Sequence, residues 1–366
     1  MEKASMEKAS MEKASMEKAS MEKASMEKAT IIGIDLAKRV FQVHAASKDG
    51  RPVLRKKVSR AQLLGFLAKQ PPTIVAMEAC ATAHEWGRAI SGLGHDVRLV
   101  PPIYVKPFVR RQKNDAADAE AIAEAASRPT MRFVALKTEE QQARSMIFRT
   151  RDLMVRQRTQ LVNALRGHLA EHGIVAPQGL AQVRVLATAM QDTGSLHPLV
   201  RELGQRYLDH IARLDVEIAE LDKRLRRPSQ DDETAKRLQS MPGMGPITAA
   251  AIEAFAPPMA TFKRGRDFAA WLGLVPRQHT TGGKPRLGRT SKMGQRDIRR
   301  LLIIGAMTVV RWAVRKGAAK GSWLARMLAK KPRLVVAVAL ANKMARSVWA
   351  MLSKGEDYRG SALAPA

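Results

Sequence analysis

Four acidic residues occupy positions where they could do chemistry together. Asp35 closes the apolar run of IIGIDLAK, Glu78 closes that of TIVAMEAC, and Asp115 and Asp118 stand three apart in QKNDAADAEAI. A spacing of three puts the last two on one face of a helix, and an apolar run ending in an acid presents a carboxylate at a strand end. Four carboxylates gathered this way repel one another unless a divalent cation sits among them. Mg2+ takes oxygen ligands and keeps positions for water or phosphate, and two such ions serve the attacking and leaving oxygens of a phosphodiester displacement. Each acid also has an ordinary explanation: Asp118 and Glu120 as solvated helix charges, Asp35 as a turn residue, Glu78 as a helix N-terminal charge. Their order along suitable elements makes the set the simpler account.

A second group lies downstream. LQSMPGMGPITAA reads as a helix–hairpin–helix in which Gly243 and Gly245 let backbone N–H groups approach a phosphate at the next helix N-terminus. Next, WLGLVPRQHTTGGK sets Thr280 and Thr281 before Gly282, Gly283 and Lys284, with Arg289, Ser291, Lys292 and Gly294 close behind. The segment reads as a flexible basic loop. Phosphate hydrogen bonding is the ordinary work of such hydroxyls, and one becomes a nucleophile toward phosphorus if a metal or lysine lowers its proton affinity.

The chain as a whole is built for a polyanion. Its 366 residues carry 63 Lys and Arg against 34 Asp and Glu, a formal charge of +29, so nucleic acid is the natural partner. Cys80 is the only cysteine, which excludes a disulfide framework or a cysteine zinc site and suits a reducing cytoplasm. No signal peptide opens the chain. The apolar runs 301–310 and 334–341 are shorter than the roughly 20 residues that span a bilayer, so no membrane is expected.

These residues must be positioned by several elements. Residues 1–30 repeat MEKAS five times and then MEKAT, a period matching no helical stripe, and read as a solvated appendage. Met21 or Met26 could equally be a start. From residue 31, the spacing predicts strands at 31–36, 40–45, 52–58, 73–77 and 95–100, helices at 61–69 and 84–93, and an alanine-rich helix at 115–126. Three strands followed by strand–helix alternation is the order of an α/β ribonuclease H-like (resolvase-like) domain over 31–135. Over 136–230 long helices take over, with Met146, Leu153, Leu161, Leu165 and Leu169 forming an apolar stripe. Tyr207, Ile211, Leu214, Ile218, Leu221 and Leu225 keep a heptad seam, which fits a helical hairpin or a coiled-coil dimer contact. Residues 173–194 are the connection between these helices, and Pro228 and Ser229 close the second. A basic, mainly helical domain covers 231–355, and 356–366 read as a tail.

Together these motifs resemble the transposases of insertion sequence family one-hundred-and-ten, especially the eleven-eleven subgroup. The resemblance covers nearly all of 31–355 and rests on IGIDLAK, the ME of VAMEAC, KNDAADAEAIAEA, MPGMGPITAA, WLGLVPRQHTTGGK and SKMGQRDIRRLL. It implies an Asp-Glu-Asp-Asp catalytic set carried onto Asp35, Glu78, Asp115 and Asp118, a coiled-coil linker and a C-terminal transposase domain. It further implies a serine of the last domain that enters the acidic site from another subunit and forms a phosphoserine link to DNA. An element-encoded guide RNA that pairs with donor and target DNA, and a dimer that pairs into a tetramer, are implied as well. This chain has Thr280 or Thr281 where the serine is expected, and the N-terminal repeat is foreign to the family.

The resulting expectation is an RNA-guided recombinase that excises and inserts its element by Mg2+-dependent strand exchange. Its metal residues are Asp35, Glu78, Asp115 and Asp118, and its nucleophile is Thr281 or Thr280, with Lys284 and Arg289 near the phosphate. A Holliday-junction-type nuclease would need only the acidic domain and water. A non-catalytic basic protein would bind DNA without magnesium.

Overall fold

The computed structural model describes residue 26 and residues 28–109, 115–226 and 232–359; the side chain of Asp115 is also outside the description. The first five repeat units, Pro228, Ser229 and the last seven residues therefore lie outside the described residues. The chain divides into two compact units, 1–138 and 139–366.

The first unit is built on a five-stranded sheet: β1 (Ile31–Asp35), β2 (Val40–Ala46), β3 (Pro52–Ser59), β4 (Ile74–Glu78) and β5 (Asp96–Val100). Their order is β3-β2-β1-β4-β5, with β1 antiparallel to β2, β2 antiparallel to β3, and β1, β4 and β5 mutually parallel. This is the ribonuclease H-like arrangement expected from the order of elements. Alternate residues of β1 point to opposite faces. Ile32 and Ile34 join one core with Phe41, Val75, Met77 and Trp86, beside helices α1 (Leu63–Leu67) and α2 (Ala83–Ser91).

After the short α3 (Pro102–Val105), α4 (Asp115–Ser127) covers the other face, where Ile31, Ala46, Ala76 and Val100 meet Ala121, Ile122, Ala123, Ala125 and Ala126. Alanines let this helix lie very close to the sheet. A Cβ at Gly33 would stand 2.8 Å from Ala123 N and 2.9 Å from its Cβ, and closer still to Ala119 O. Only glycine fits there. Met26 is 2 % exposed and belongs to the sheet core, with Ala29 packed against it. The sixth repeat unit is thus partly structural, not a solvated appendage: Thr30 N–H donates to Ala46 O and so continues the β1–β2 pairing.

The second unit is helical. The helices α5 (Glu139–Ala170) and α7 (Pro198–Arg226) run antiparallel, because Arg151 pairs with Asp222 and Arg158, one heptad on, pairs with Asp215, one heptad back. The seam residues Ile211, Leu214, Ile218 and Leu225 are buried within this chain. Between them, α6 (Val183–Asp192) occupies what reads in sequence as a connection, and Leu186 and Met190 bury with Leu165 and Ile211.

The apolar stripe of α5 departs from expectation at its N-terminal end, where Met146 and Leu153 are exposed. There the helix turns Ser145 and Phe148 inward, toward α9 (Pro246–Phe255), which follows α8 (Glu233–Gln239). Ser145 Oγ donates to Ala254 O at 3.2 Å and Phe148 lies 5.4 Å from Phe255. These contacts tie α5 to α9 within the second unit.

Its main core continues through α10 (Gly265–Trp271), α11 (Arg296–Lys316), α12 (Trp323–Lys330) and α13 (Arg333–Lys354), with a two-stranded hairpin of β6 (Pro276–Gln278) and β7 (Leu287–Thr290). By length and composition α13 would suffice to cross a bilayer. Its Val336, Leu340, Met344, Val348 and Met351 are instead buried in the core of this unit.

Candidate active site

The carboxylates of the first unit are brought together by strand register. Ile34 of β1 lies opposite Met77 of the parallel β4, so the next residues, Asp35 and Glu78, leave the sheet side by side at one end. The close crossing of α4 over Gly33 fixes Ala119, and hence Asp118 beside it, above the same strands. Burial, and then the Asp118 carboxylate, push Glu78 above the ordinary carboxylate range. Asp115 starts α4 one turn before Asp118, and its side chain is outside the described residues. Glu120 is held by Arg55 of β3 at 2.9 Å, which ties α4 to the far side of the sheet.

Asp35, Glu78 and Asp118 offer only carboxylate oxygens, the donors a hard divalent cation takes. The repulsion between Glu78 and Asp118 is what such a cation would relieve. The donor set therefore fits a divalent metal. Among the described residues, with Asp115's side chain excluded, no three His, Cys, Asp or Glu are disposed as a metal-binding group.

Cys80, read in the sequence only as the lone cysteine, stands two residues past Glu78 and close to the acids. Burial and the neighbouring Glu78 and Asp35 push its thiol up, with its own backbone N–H opposing. Only the register of β1 and β4 makes it a neighbour of both acids.

The threonine–glycine segment forms the tip of a hairpin. Thr281 and Lys284 form a bridge, Lys284 N–H donates to Thr281 O at 3.1 Å, and Gly282 and Gly283 have φ of 56° and 75°. Two successive positive φ values make a type I′ turn, whose twist matches the flanking strands and which favours glycine at both places. Thr280, Thr281, Lys284 and Arg289 are all exposed. Ser291, at the hairpin base, has a buried Oγ with no hydrogen-bond partner among the described residues. Lys292 is exposed with φ of 55°. The acids and the hairpin thus belong to different units.

The turn between α8 and α9 treats its two glycines differently. Gly243 is packed against α11: a Cβ there would stand 2.7 Å from Gly305 O and 2.9 Å from Val309 Cγ2. Gly245 is exposed and precedes Pro246 at the α9 N-terminus, with open space where a Cβ would lie. The Gly243 Cα therefore serves helix packing, whereas Gly245 has no such close neighbour.

Two family profiles match the chain. One, described as a transposase of DEDD type, spans residues 32–174; the other, described as the Transposase IS116/IS110/IS902 family, spans 235–320. The transposase for insertion sequence element IS1328 of Yersinia enterocolitica is 44% identical over 90% of this chain and 98% of its own length. The transposase for IS1111A of Coxiella burnetii is 38% identical over 90% of this chain and 91% of its own. This chain belongs to the IS116/IS110/IS902 family of transposases. It is a DNA transposase of an insertion sequence, with an acidic ribonuclease H-like domain of the divalent-metal-dependent type. In the transposase, the matched span 32–174 contains Asp35, Glu78, Asp115 and Asp118, and 235–320 contains the Gly245 turn and the threonine hairpin.

Proposed function

We propose that the transposase excises and inserts its element by Mg2+-dependent strand exchange guided by an element-encoded RNA. Asp35, Glu78, Asp115 and Asp118 would hold the metal, which when bound would supply charge neutralisation and activation of the attacking oxygen. Thr281 Oγ, or Thr280 Oγ, attacks phosphorus. The Oγ–P bond forms as the P–O bond to the departing strand breaks, and the hydroxyl proton passes to a nearby base or water. Lys284 and Arg289 hold the phosphate by charge-assisted hydrogen bonds. The observation that carries the threonine reading is exposure: both hydroxyls stand at the tip of a pre-formed turn, while the nearby Ser291 Oγ is buried.

The α8–α9 turn acts as a helix–hairpin–helix that meets DNA phosphate at Gly245, with Gly243 setting its packing. The α5–α7 pair serves as the coiled-coil linker of a dimer that pairs into a tetramer, so that the hairpin of one subunit completes the acidic site of another. The protein works in the bacterial cytoplasm, at the nucleoid when active.

Denaturing electrophoresis of the protein with labelled DNA, Mg2+ and the element's RNA tests the covalent step. Thr281→Val keeps the shape and deletes the oxygen, so the shifted band should vanish. Thr281→Ser removes the methyl that crowds in-line approach and should raise activity. A band that survives in Thr281→Val but is lost in Thr280→Val transfers the role to Thr280. Magnesium-dependent cleavage with no band in any variant refutes covalent transfer and leaves a junction nuclease.

A further inference from the structure

Arg326, Lys343 and Arg346 stand together where α10, α12 and α13 meet. Lys343 and Arg346 are three apart on α13 and share a face. Lys343 Nζ lies 5.2 Å from the ring centre of Trp323, the first residue of α12, and Arg326 is one turn further along that helix. The N-terminus of α10 backs the group: a Cβ at Gly265 would stand 3.0 Å from Arg346 O. Arg326 and Arg346 are exposed and Lys343 is half-buried.

No carboxylate neutralises this group among the described residues. Elsewhere in the same unit Arg144, Arg151, Arg158, Arg206 and Arg300 each have an acid partner, and Asp267 of α10 is engaged by Arg264 at 3.5 Å. Lys343 shows the consequence. Burial first, then the Arg346 and Arg326 guanidiniums, lower its proton affinity. Arg326 Nη1 donates to Gly321 O at 2.5 Å, which fixes that guanidinium without neutralising it. Three neighbouring cations without a counter-charge among the described residues, one of them fixed over an aromatic ring, form a receptor for a polyanion.

We infer that Arg326, Lys343 and Arg346 form a phosphate site for the backbone of duplex DNA, with Trp323 holding the lysine in place. Duplex rather than single-stranded nucleic acid is the occupant because its charge is denser and each neutralised phosphate releases more counterion. The site does not depend on the acidic cluster or on the threonines.

The test is the salt dependence of binding of the full chain to a random-sequence DNA duplex. Arg326→Gln/Arg346→Gln removes two exposed cations and leaves the Lys343–Trp323 contact intact. The slope of log binding constant against log salt should become shallower by about 0.9 for each lost phosphate contact, hence by about 2 in this variant. Lys236→Gln, whose cation is already paired with Glu233 at 3.1 Å, should leave the slope unchanged. Asp118→Ala should leave it unchanged too, which separates this site from the catalytic one. An unaltered slope in the double variant overturns the inference, as does a change seen with single-stranded RNA and absent with duplex DNA.

Discussion

Replacing Gly33 by alanine tests whether the active-site geometry depends on the crossing of α4 over β1. The added Cβ would lie 2.8 Å from Ala123 N, where an ordinary contact begins at 3.4 Å, and it would be nearer still to Ala119 O. The opposing atoms are mainly backbone, so α4 as a whole must retreat, by roughly 0.6–1 Å, through a core that is packed as densely as a crystal. Overpacking of this kind costs about 1–3 kcal/mol. For a unit of this size that is a fall in Tm of the order of 5–15 °C, not loss of the fold. Catalysis should suffer more. Asp118 is the neighbour of Ala119, and displacing a reacting group by about 1 Å costs of the order of 100-fold in rate. Transposition of a marked element in cells should therefore drop about 100-fold. DNA binding of the purified protein should stay within about twofold, because no charge changes and binding follows charge. Wild-type transposition together with a wild-type Tm would refute the close crossing and the positioning of Asp118 that follows from it.

The other predictions concern different links. Asp35→Ala or Asp118→Ala should abolish transposition and leave DNA binding intact; recombination at the wild-type rate in either would remove that residue from the catalytic set. Glu78→Gln should also abolish activity, yet raise the Tm of the metal-free protein, because a carboxylate repelled by Asp118 is replaced by a neutral amide; a lower Tm would contradict the repulsion.

Glu253 of α9 has a buried Oε1 with no partner among the described residues, and although Arg144 lies 3.3 Å from its other oxygen, burial and Asp232 dominate and raise it to about 7. A carboxyl raised in the folded state stabilises the fold below its unfolded value and loses that contribution as pH climbs to about 7. Melting between pH 4.5 and about 7 should thus show a decline of the order of 2–3 kcal/mol from this group, and Glu253→Gln should flatten it; an unchanged profile would count against it. At the N-terminus, a protein starting at Met21 should match the full chain, whereas one starting at Ile31 loses the buried Met26 and should be destabilised by about 2–5 kcal/mol; equal denaturation midpoints would refute the packing of that residue.

Much of this molecule is legible in its residues because the determining physics is local. The period of two in β1 to β5, the turn signals between them and the alanine run of α4 follow from backbone geometry and side-chain size, so element order alone led to the ribonuclease H-like sheet. Acids at strand ends and a spacing of three likewise show where Asp35, Glu78, Asp115 and Asp118 lie along their elements. What only the tertiary structure decided are the outcomes of packing between distant segments. Within the chain, the heptad seam of α7 is buried and the helix packs along α5, where Arg151 and Arg158 find Asp222 and Asp215 in an antiparallel register. Met26 belongs by sequence to a featureless repeat and is buried where the pairing of β1 with β2 continues past Ile31 through Thr30 and Ala46. Gly243 and Gly245 look alike in MPGMGP, yet one is consumed by contact with Gly305 and the other is free, a difference set by a helix some sixty residues away. Cys80 beside Asp35, and Arg326 beside Lys343, are neighbours through space alone. Composition supplies such charges, and only the fold decides which of them meet without a counter-ion.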